Sequence, residues 1–474
     1  MNMPLEINPS EQLNLILAKQ KASYRRQPAP TLDERKQQLS ALKSALLDNQ
    51  EAIIDALSKD YGHRSKDDSR ISDIMPCINN INYSLKHLKG WMKPSRRHAG
   101  ILLAPAKVSV QYQPVGVVGI IVPWNFPVML SIGPLITAIA AGNRAMLKLS
   151  EFTPHTNTAL KQMLSALFDE TVVAVVEGEA DVAAAFSSLA FDHLLFTGST
   201  TVGRHVMRAA AANLTPVTLE LGGKSPVIVA PDMPLDEAVE RMIYGKCLNA
   251  GQICVAPDYV LVPQGKTKQF KEAFERKFNA MYGQISNNED YGAIINQRQF
   301  DRLIAVIDDA KAKGAQITSA NGEAIDTAQR KIPTQLITQV SDEMALMQDE
   351  IFGPLLPIIE YETVDNAIDF INDRPRPLAL YIMSFSEQTQ QHILAHTHSG
   401  GVCINETVFH VAADDAPFGG IGPSGMGHYH GKEGFLTMSH AKTVLSRGKL
   451  NTGKLVHPPY GSAVQQLLMK LFLR

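Results

Sequence analysis

Val117-Val118-Gly119-Ile120-Ile121-Val122 is an unbroken apolar run, the pattern of a strand covered on both faces, and the elements after it decide the fold. The run ends in Pro123-Trp124-Asn125-Phe126-Pro127, after which a helix is expected near residues 130–141. A strand over 145–149, a helix over 153–167, a strand over 172–176 and a helix over 180–189 continue the pattern. A strand over 193–196, a helix over 200–212 and a strand over 217–221 complete it. Five strands separated by four helices imply an α/β fold with a doubly wound parallel sheet. Such a sheet binds its ligand beyond the carboxyl ends of its strands.

Upstream, Thr31-Leu32-Asp33-Glu34 reads as a capping box, and Leu39, Leu42, Leu46, Ile53 and Leu57 come after it at helical spacing. From Gly222 a second α/β unit is expected, with strands over 227–229, 259–262, 355–359, 378–385 and 401–404. Its amphipathic helices fall near 266–281, 298–313 and 364–372, and no internal repeat is visible. At 474 residues the chain has room for two or three domains.

Composition narrows the function. A net charge of −2 with scattered Lys and Arg offers no field to gather nucleic acid. The cysteines, Cys77, Cys247, Cys254 and Cys403, are widely spaced and form no zinc-type cluster, so no metal is expected and reduced thiols in the cytoplasm are the simplest account. Residues 108–143 carry no charge, yet Pro114, Pro123, Pro127 and Pro134 break the stretch, so a buried strand, turn and core helix explain it better than a membrane span. The apolar end, 464–473, is too short to span a bilayer; interface packing is the default, with membrane contact as the alternative.

Chemistry concentrates in two glycine-rich segments. Cys254 stands directly after Gly251-Gln252-Ile253, and Glu220 lies in Leu219-Glu220-Leu221-Gly222-Gly223-Lys224. A thiol with a carboxylate partner is the kit for covalent catalysis with acid/base assistance. Cys254 could instead be a buried packing residue, but its Gly-Gln loop with a helix start expected nearby would stabilise a thiolate. Glu220 could be an ordinary exposed carboxylate, yet apolar neighbours at a strand end would raise its pKa.

Three further features sit at strand ends. Phe196-Thr197-Gly198-Ser199-Thr200-Thr201-Val202-Gly203 is a strand-to-helix turn that suits a phosphate, although its glycine spacing is not the dinucleotide fingerprint. Lys148 and Glu151 stand where an adenosine ribose is held in such folds, and a carboxylate there leans toward NAD over NADP; a surface ion pair is the plainer reading. Asn125, stiffened by its flanking prolines, could donate to a developing oxyanion or be a turn residue only. Gly420-Ile421-Gly422-Pro423-Ser424-Gly425 matches the fingerprint, but no strand leads into it, so it is assigned to a loop near the active site.

With these motifs in order, together with Glu350-Ile351-Phe352-Gly353-Pro354 and Pro417-Phe418-Gly419-Gly420, the chain resembles the aldehyde dehydrogenases over roughly residues 25–445. One departure is Leu149, where that family usually has proline. The segment from Ser424 to His440 is similar to the class 3 branch, which includes fatty-aldehyde and coniferyl-aldehyde enzymes. The resemblance implies NAD, with NADP possible, held by Pro123, Trp124, Lys148, Ser150, Glu151, Gly198, Ser199, Gly203, Leu221, Gly222, Glu350 and Phe352. It implies Cys254, Glu220 and Asn125 as the catalytic set, and a homodimer joined through a small β arm near 107–114 and 440–447.

The expected organisation is N-terminal helices and a dinucleotide-binding domain over 1–221, a catalytic domain over 222–408, and a return segment, oligomerisation strand and tail over 409–474. The leading substrate is coniferyl aldehyde, oxidised to ferulate, with long-chain and other aromatic aldehydes as alternatives. A CoA-acylating semialdehyde dehydrogenase or a thiol hydrolase would also use Cys254, but Glu220 favours water as acceptor and the strand alternation favours a nucleotide. His410, just before the Pro-Phe-Gly-Gly loop, lines the substrate mouth or packs the core.

Overall fold

The computed structural model describes residues 8–473. The described chain opens with the helices Pro9–Arg26 and Leu32–Tyr61, and the second starts on the expected capping box, with Thr31 Oγ1 accepting from Glu34 N–H. Its Leu39, Leu42, Leu46, Ile53 and Leu57 are fully buried. A helix over Met75–Trp91 then leads into β1 (Ser95–Arg97) and β2 (Lys107–Pro114).

The expected alternation comes next, as β3 (Val117–Ile121), β4 (Arg144–Lys148), β5 (Val173–Val176), β6 (His193–Gly198) and β7 (Val217–Leu221). These pair in parallel in the order β7-β6-β3-β4-β5. All five residues of β3 are buried, because helices cover both faces and leave no polar side to the strand. The uncharged stretch resolves into β2, β3 and the core helix Met129–Ala141. Among the described residues no helix is long and apolar enough to cross a membrane.

The second unit contains β8 (Pro226–Val229), β9 (Tyr259–Pro263), β10 (Gln316–Ser319), β11 (Gln335–Thr338), β12 (Leu355–Tyr361), β13 (Ala379–Met383) and β14 (Gly401–Ile404). They form one sheet in the order β10-β11-β12-β9-β8-β13-β14. β10 and β11 escape the sequence reading, since each is only four residues and neither is a strong apolar run.

Two late strands tie the ends of the chain together. β15 (Gly425–Met426) returns to the first sheet and pairs antiparallel with β7, placing Gly425 opposite Glu220. The fingerprint-like Gly420–Gly425 segment is thus a loop beside a site strand, as expected. β16 (Ser439–Ser446) pairs along the whole of β2, giving a separate sheet in the order β1-β2-β16. The closing helix, Ala463–Phe472, buries Gln465 and leaves Leu467, Leu471 and Phe472 exposed, so its apolar side has no partner within the described chain.

Candidate active site

Strand order sets the layout of the site. Ile121 of β3 lies between Lys148 of β4 and Phe196 of β6, and Thr197 of β6 faces Glu220 of β7. The carboxyl edge of the sheet therefore presents Glu220, Gly198, the Trp124–Asn125 loop and Lys148 in a row. A cavity of about 450 Å³ opens at this edge, lined by Pro123, Trp124, Asn125, Gly198, Ser199, Glu220, Gly222, Cys254, Glu350 and Phe352 among others. Ten of the fifteen residues singled out in the sequence share that wall.

The other five stand behind or beside it. Gly203 lies on the helix Thr200–Ala211, and a Cβ there would come within 2.7 Å of Leu221 Cδ2, so the pair brings helix and strand into close contact beneath the cavity. Ser150 Oγ accepts from Phe152 N–H and shapes the turn after β4. Lys148 Nζ donates to Leu149 O at 2.8 Å and sits 3.3 Å from Glu151 Oε2. The surface ion pair is corrected here, because Lys148 is 2% exposed and its ammonium is held inside the turn. Glu151 is the member of the pair that meets solvent.

Cys254 is reached through a strained approach. Over Leu248–Gly251 the chain makes a tight turn in which Asn249, Ala250 and Gly251 all have positive φ, of 50°, 52° and 72°. No helix starts at Cys254, which corrects the expected source of thiolate stabilisation. Burial, and then the charges of Glu350 and Glu220, push the thiol up to about 12, while its own N–H and that of Val255 pull the other way. In the free protein the group is a thiol, partly exposed to the cavity.

Glu220 is buried and neither carboxyl oxygen has a hydrogen-bond partner among the described residues. Burial raises its pKa well above the ordinary carboxylate range. A carboxyl group so placed keeps its proton to higher pH than usual and, once ionised, is a strengthened base whose oxygens can take a proton from whatever enters the cavity. Asn125 is 3% exposed, and its Nδ2 donates to Gln252 O at 3.2 Å. An amide nitrogen carries two hydrogens, so one is fixed and the other remains for an oxyanion.

The Glu350–Phe352 loop is pinned from two sides. Asp258 Oδ2 accepts from Ile351 N–H at 2.9 Å, and Lys224, paired with Asp258, donates to Leu346 O and Asp349 O. From the helix Gln297–Ala312, Arg302 donates to Ile351 O at 2.8 Å and to Phe352 O at 3.3 Å. Phe352, at a positive φ of 48°, meets the Trp124 indole edge-on with ring centres 5.2 Å apart. Glu350 keeps Oε1 unpartnered and is pushed up to about 8 by burial and then by the charge of Asp258, with the nearby Gly223 N–H pulling the other way.

Gln299, Arg302 and Val306 of that helix also line the cavity and are absent from the sequence reading. Their three- and four-residue spacing puts them on one helix face, which in sequence is indistinguishable from any solvated face. A nicotinamide dinucleotide fits the residues present. The row of strand ends, the Ser199 cap that opens the helix Thr200–Ala211, and the unpartnered buried Glu350 Oε1 supply backbone amides, a helix N-terminus and a hydroxyl acceptor in one cavity. Among the described residues no His, Cys, Asp and Glu cluster could hold a metal ion.

Known proteins give the same arrangement a context. Residues 8–444 match the model described as the aldehyde dehydrogenase family. A Pseudomonas aeruginosa protein named probable coniferyl aldehyde dehydrogenase is 53% identical over 469 residues, covering 99% of this chain and 97% of that one. A substrate-bound AldH of Staphylococcus aureus superposes with a TM-score of 0.92 at 37% identity, covering all of both chains. A Mycobacterium tuberculosis aldehyde dehydrogenase complexed with NAD+ superposes with a TM-score of 0.85 at 29% identity, over 94% of this chain and 92% of that one.

Proposed function

Because the chain belongs to the aldehyde dehydrogenase family and acts as an NAD(P)-dependent oxidoreductase on aldehydes, we propose that Cys254, Glu220 and Asn125 perform the reaction and that the substrate is coniferyl aldehyde. The observation that carries the residue roles is the shared cavity, in which a half-buried thiol faces an unpartnered buried carboxyl group and a pre-oriented amide.

Cys254 Sγ, once it gives up its proton to solvent, attacks the aldehyde carbonyl carbon and opens its C=O π bond, forming a thiohemiacetal. The spare Asn125 N–H and the Cys254 backbone N–H stabilise the oxygen as charge develops on it. NAD(P)+, when bound, supplies the hydride acceptor that converts the thiohemiacetal to a thioester. Glu220, in its ionised form, then takes a proton from water at one of its free oxygens; the hydroxide displaces the sulfur as thiolate and releases the carboxylic acid, and the proton on Glu220 returns to the sulfur to restore the thiol. Glu350 and Phe352 hold the nicotinamide ribose and ring, and Glu151 meets the adenosine ribose, where its charge favours NAD over NADP.

The substrate assignment is supported by the full-length likeness to the Pseudomonas aeruginosa protein. Behind the nucleophile the core is aromatic: Tyr381, fully buried, donates through Oη to Val255 O next to Cys254, and its ring meets His410, which meets Phe418, with ring centres 6.0 and 5.9 Å apart. The free edge of β16 supports assembly as a homodimer, and four free cysteines suit the reducing cytoplasm.

Cys254→Ser tests the nucleophile: loss of ~1000-fold or more in NADH formation is expected, and retention of most activity would refute it. Comparison of kcat/KM across cinnamaldehydes and aliphatic aldehydes of graded length tests the substrate. A preference for long aliphatic chains would overturn the coniferyl assignment.

A further inference from the structure

Beneath the catalytic wall, three donors from two parts of the chain converge on one backbone oxygen. The Asn125 carbonyl accepts from Tyr61 Oη at 3.0 Å, from Arg64 Nη1 at 3.1 Å and from Asn249 Nδ2 at 3.2 Å. Asn249 Nδ2 also lies 3.3 Å from Gln252 O, the same oxygen that accepts from Asn125 Nδ2. One amide nitrogen thus joins the loop bearing Asn125 to the loop bearing Cys254, two residues beyond Gln252.

The surroundings make this a rigid joint. Arg64 pairs with Asp73 at 2.7 Å, and both side chains are completely buried. Asp73 Oδ1 accepts from Val128 and Met129 N–H at 3.1 and 3.0 Å, which fixes the start of the helix after the Asn125 loop. The guanidinium also lies over the rings of Tyr61 and Phe126. A charged donor on a carbonyl in an apolar interior is strong, and its position is not negotiable by solvent.

Asn249 bears the marks of a residue kept for geometry. It sits at a φ of 50°, and its own Oδ1 is buried without a partner. The three oxygens around its other terminal atom, those of Tyr61, Asn125 and Gln252, require that atom to be the donor nitrogen. Backbone strain and an orphaned oxygen persist where the arrangement they permit is needed.

We propose that Asn249, seated on the Tyr61–Arg64–Asp73 cluster, is a positioning residue that sets the spacing between the oxyanion donor Asn125 and the nucleophile Cys254. The proposal rests on the assignment of Asn125 as that donor. Asn249 touches neither aldehyde nor cofactor; it acts through the Asn125 carbonyl and the Gln252 carbonyl. Replacing its amide nitrogen by oxygen sets that oxygen against two carbonyls and spreads the two loops, so the tetrahedral oxygen loses its partner during acylation.

The test is a double-mutant cycle read in the pre-steady-state NADH burst, in the full-length protein. Asn125→Ala should slow the burst ~100-fold or more. Asn249→Asp should slow it ~10- to 100-fold, as expected of a small misplacement, with KM for the cofactor within ~2-fold of the parent. The double variant should be no slower than Asn125→Ala within ~3-fold, because the joint has nothing to position once the donor is gone. Tyr61→Phe, which removes one donor and keeps the packing, should slow the burst ~3- to 10-fold with the same non-additivity, and it carries the cycle alone if Asn249→Asp does not fold.

Multiplying effects in the cycle, or a normal burst in Asn249→Asp or Tyr61→Phe when Asn125→Ala is slow, would overturn the joint and leave the oxyanion assignment standing. A normal burst in Asn125→Ala would remove the oxyanion assignment and the joint together.

Discussion

Gly222 is a position where one added methyl group reports directly on the proposed cofactor site. A Cβ built there falls 2.1 Å from Glu350 Oε2, 2.3 Å from Oε1 and 2.4 Å from Cδ, against about 3.4 Å for ordinary contact. The carboxylate must therefore retreat by about 1 Å or more, which it can do by rotating its side chain. Gly222 does not have a positive φ, so alanine brings no backbone strain. Since the clash is with the end of a side chain, the stability loss in Gly222→Ala should stay within the ~1–3 kcal/mol of local overpacking. Function should suffer more, because displacement of a ligand-holding group by about 1 Å is worth ~100-fold.

The expected result is a fall of ~10- to 100-fold in kcat/KM for the cofactor with a small change in Tm, read by initial rates and thermal unfolding. Gly90→Ala is the control, since a Cβ there has nothing within 4 Å. A Gly222→Ala protein with kcat/KM within ~2-fold of the parent would refute both the placement of the carboxylate and its role in holding the nicotinamide ribose.

Other perturbations separate the remaining roles. Glu220→Gln should retain the NADH burst and slow steady-state turnover, and loss of the burst would move Glu220 into acylation. The raised pKa of Glu220 means that the folded protein holds a proton the unfolded chain releases, so this group's stabilising contribution is complete below the ordinary carboxylate pKa and is lost as pH rises through the raised one. Glu220→Gln should therefore raise Tm relative to the parent at alkaline pH and not at acid pH; an equal shift at both would contradict the linkage. Glu151→Gln should raise kcat/KM for NADP relative to NAD ~10-fold, a change of about 1.4 kcal/mol, and an unchanged ratio would remove Glu151 from cofactor discrimination.

Fold and site were unequally legible in the sequence. β3 to β7 could be read because strands covered on both faces leave apolar runs that turns and helices punctuate. β10 and β11 could not, since four-residue strands lack a resolvable period. Cys254 and Glu220 stand out by their glycine-led segments, which mark backbone that must turn tightly near a ligand. Arg302 was hidden among the ordinary charges of an amphipathic helix, and its value lies in two backbone oxygens contributed by residues far along the chain. The environment of Cys254 departs from the expected helix start, because the Gly-Gln loop that leads to it follows positive φ angles at Asn249 and Ala250, which turn the chain the other way. Neither angle leaves a trace in residue type at Ala250.

The pairing of Gly425 with Glu220 also governs when the site can come into being. During synthesis the first sheet emerges from the ribosome with β7 as an uncovered edge, and roughly two hundred further residues must appear before β15 can cover it. At a translation rate of about 5–20 residues per second that interval lasts ~10–40 s. Throughout it, the strand carrying the buried acid offers its hydrogen-bonding groups to any passing chain. The enzyme thus carries an open strand edge before its active site exists, and the late glycine-rich segment that pairs with the strand bearing Glu220 ends that exposure.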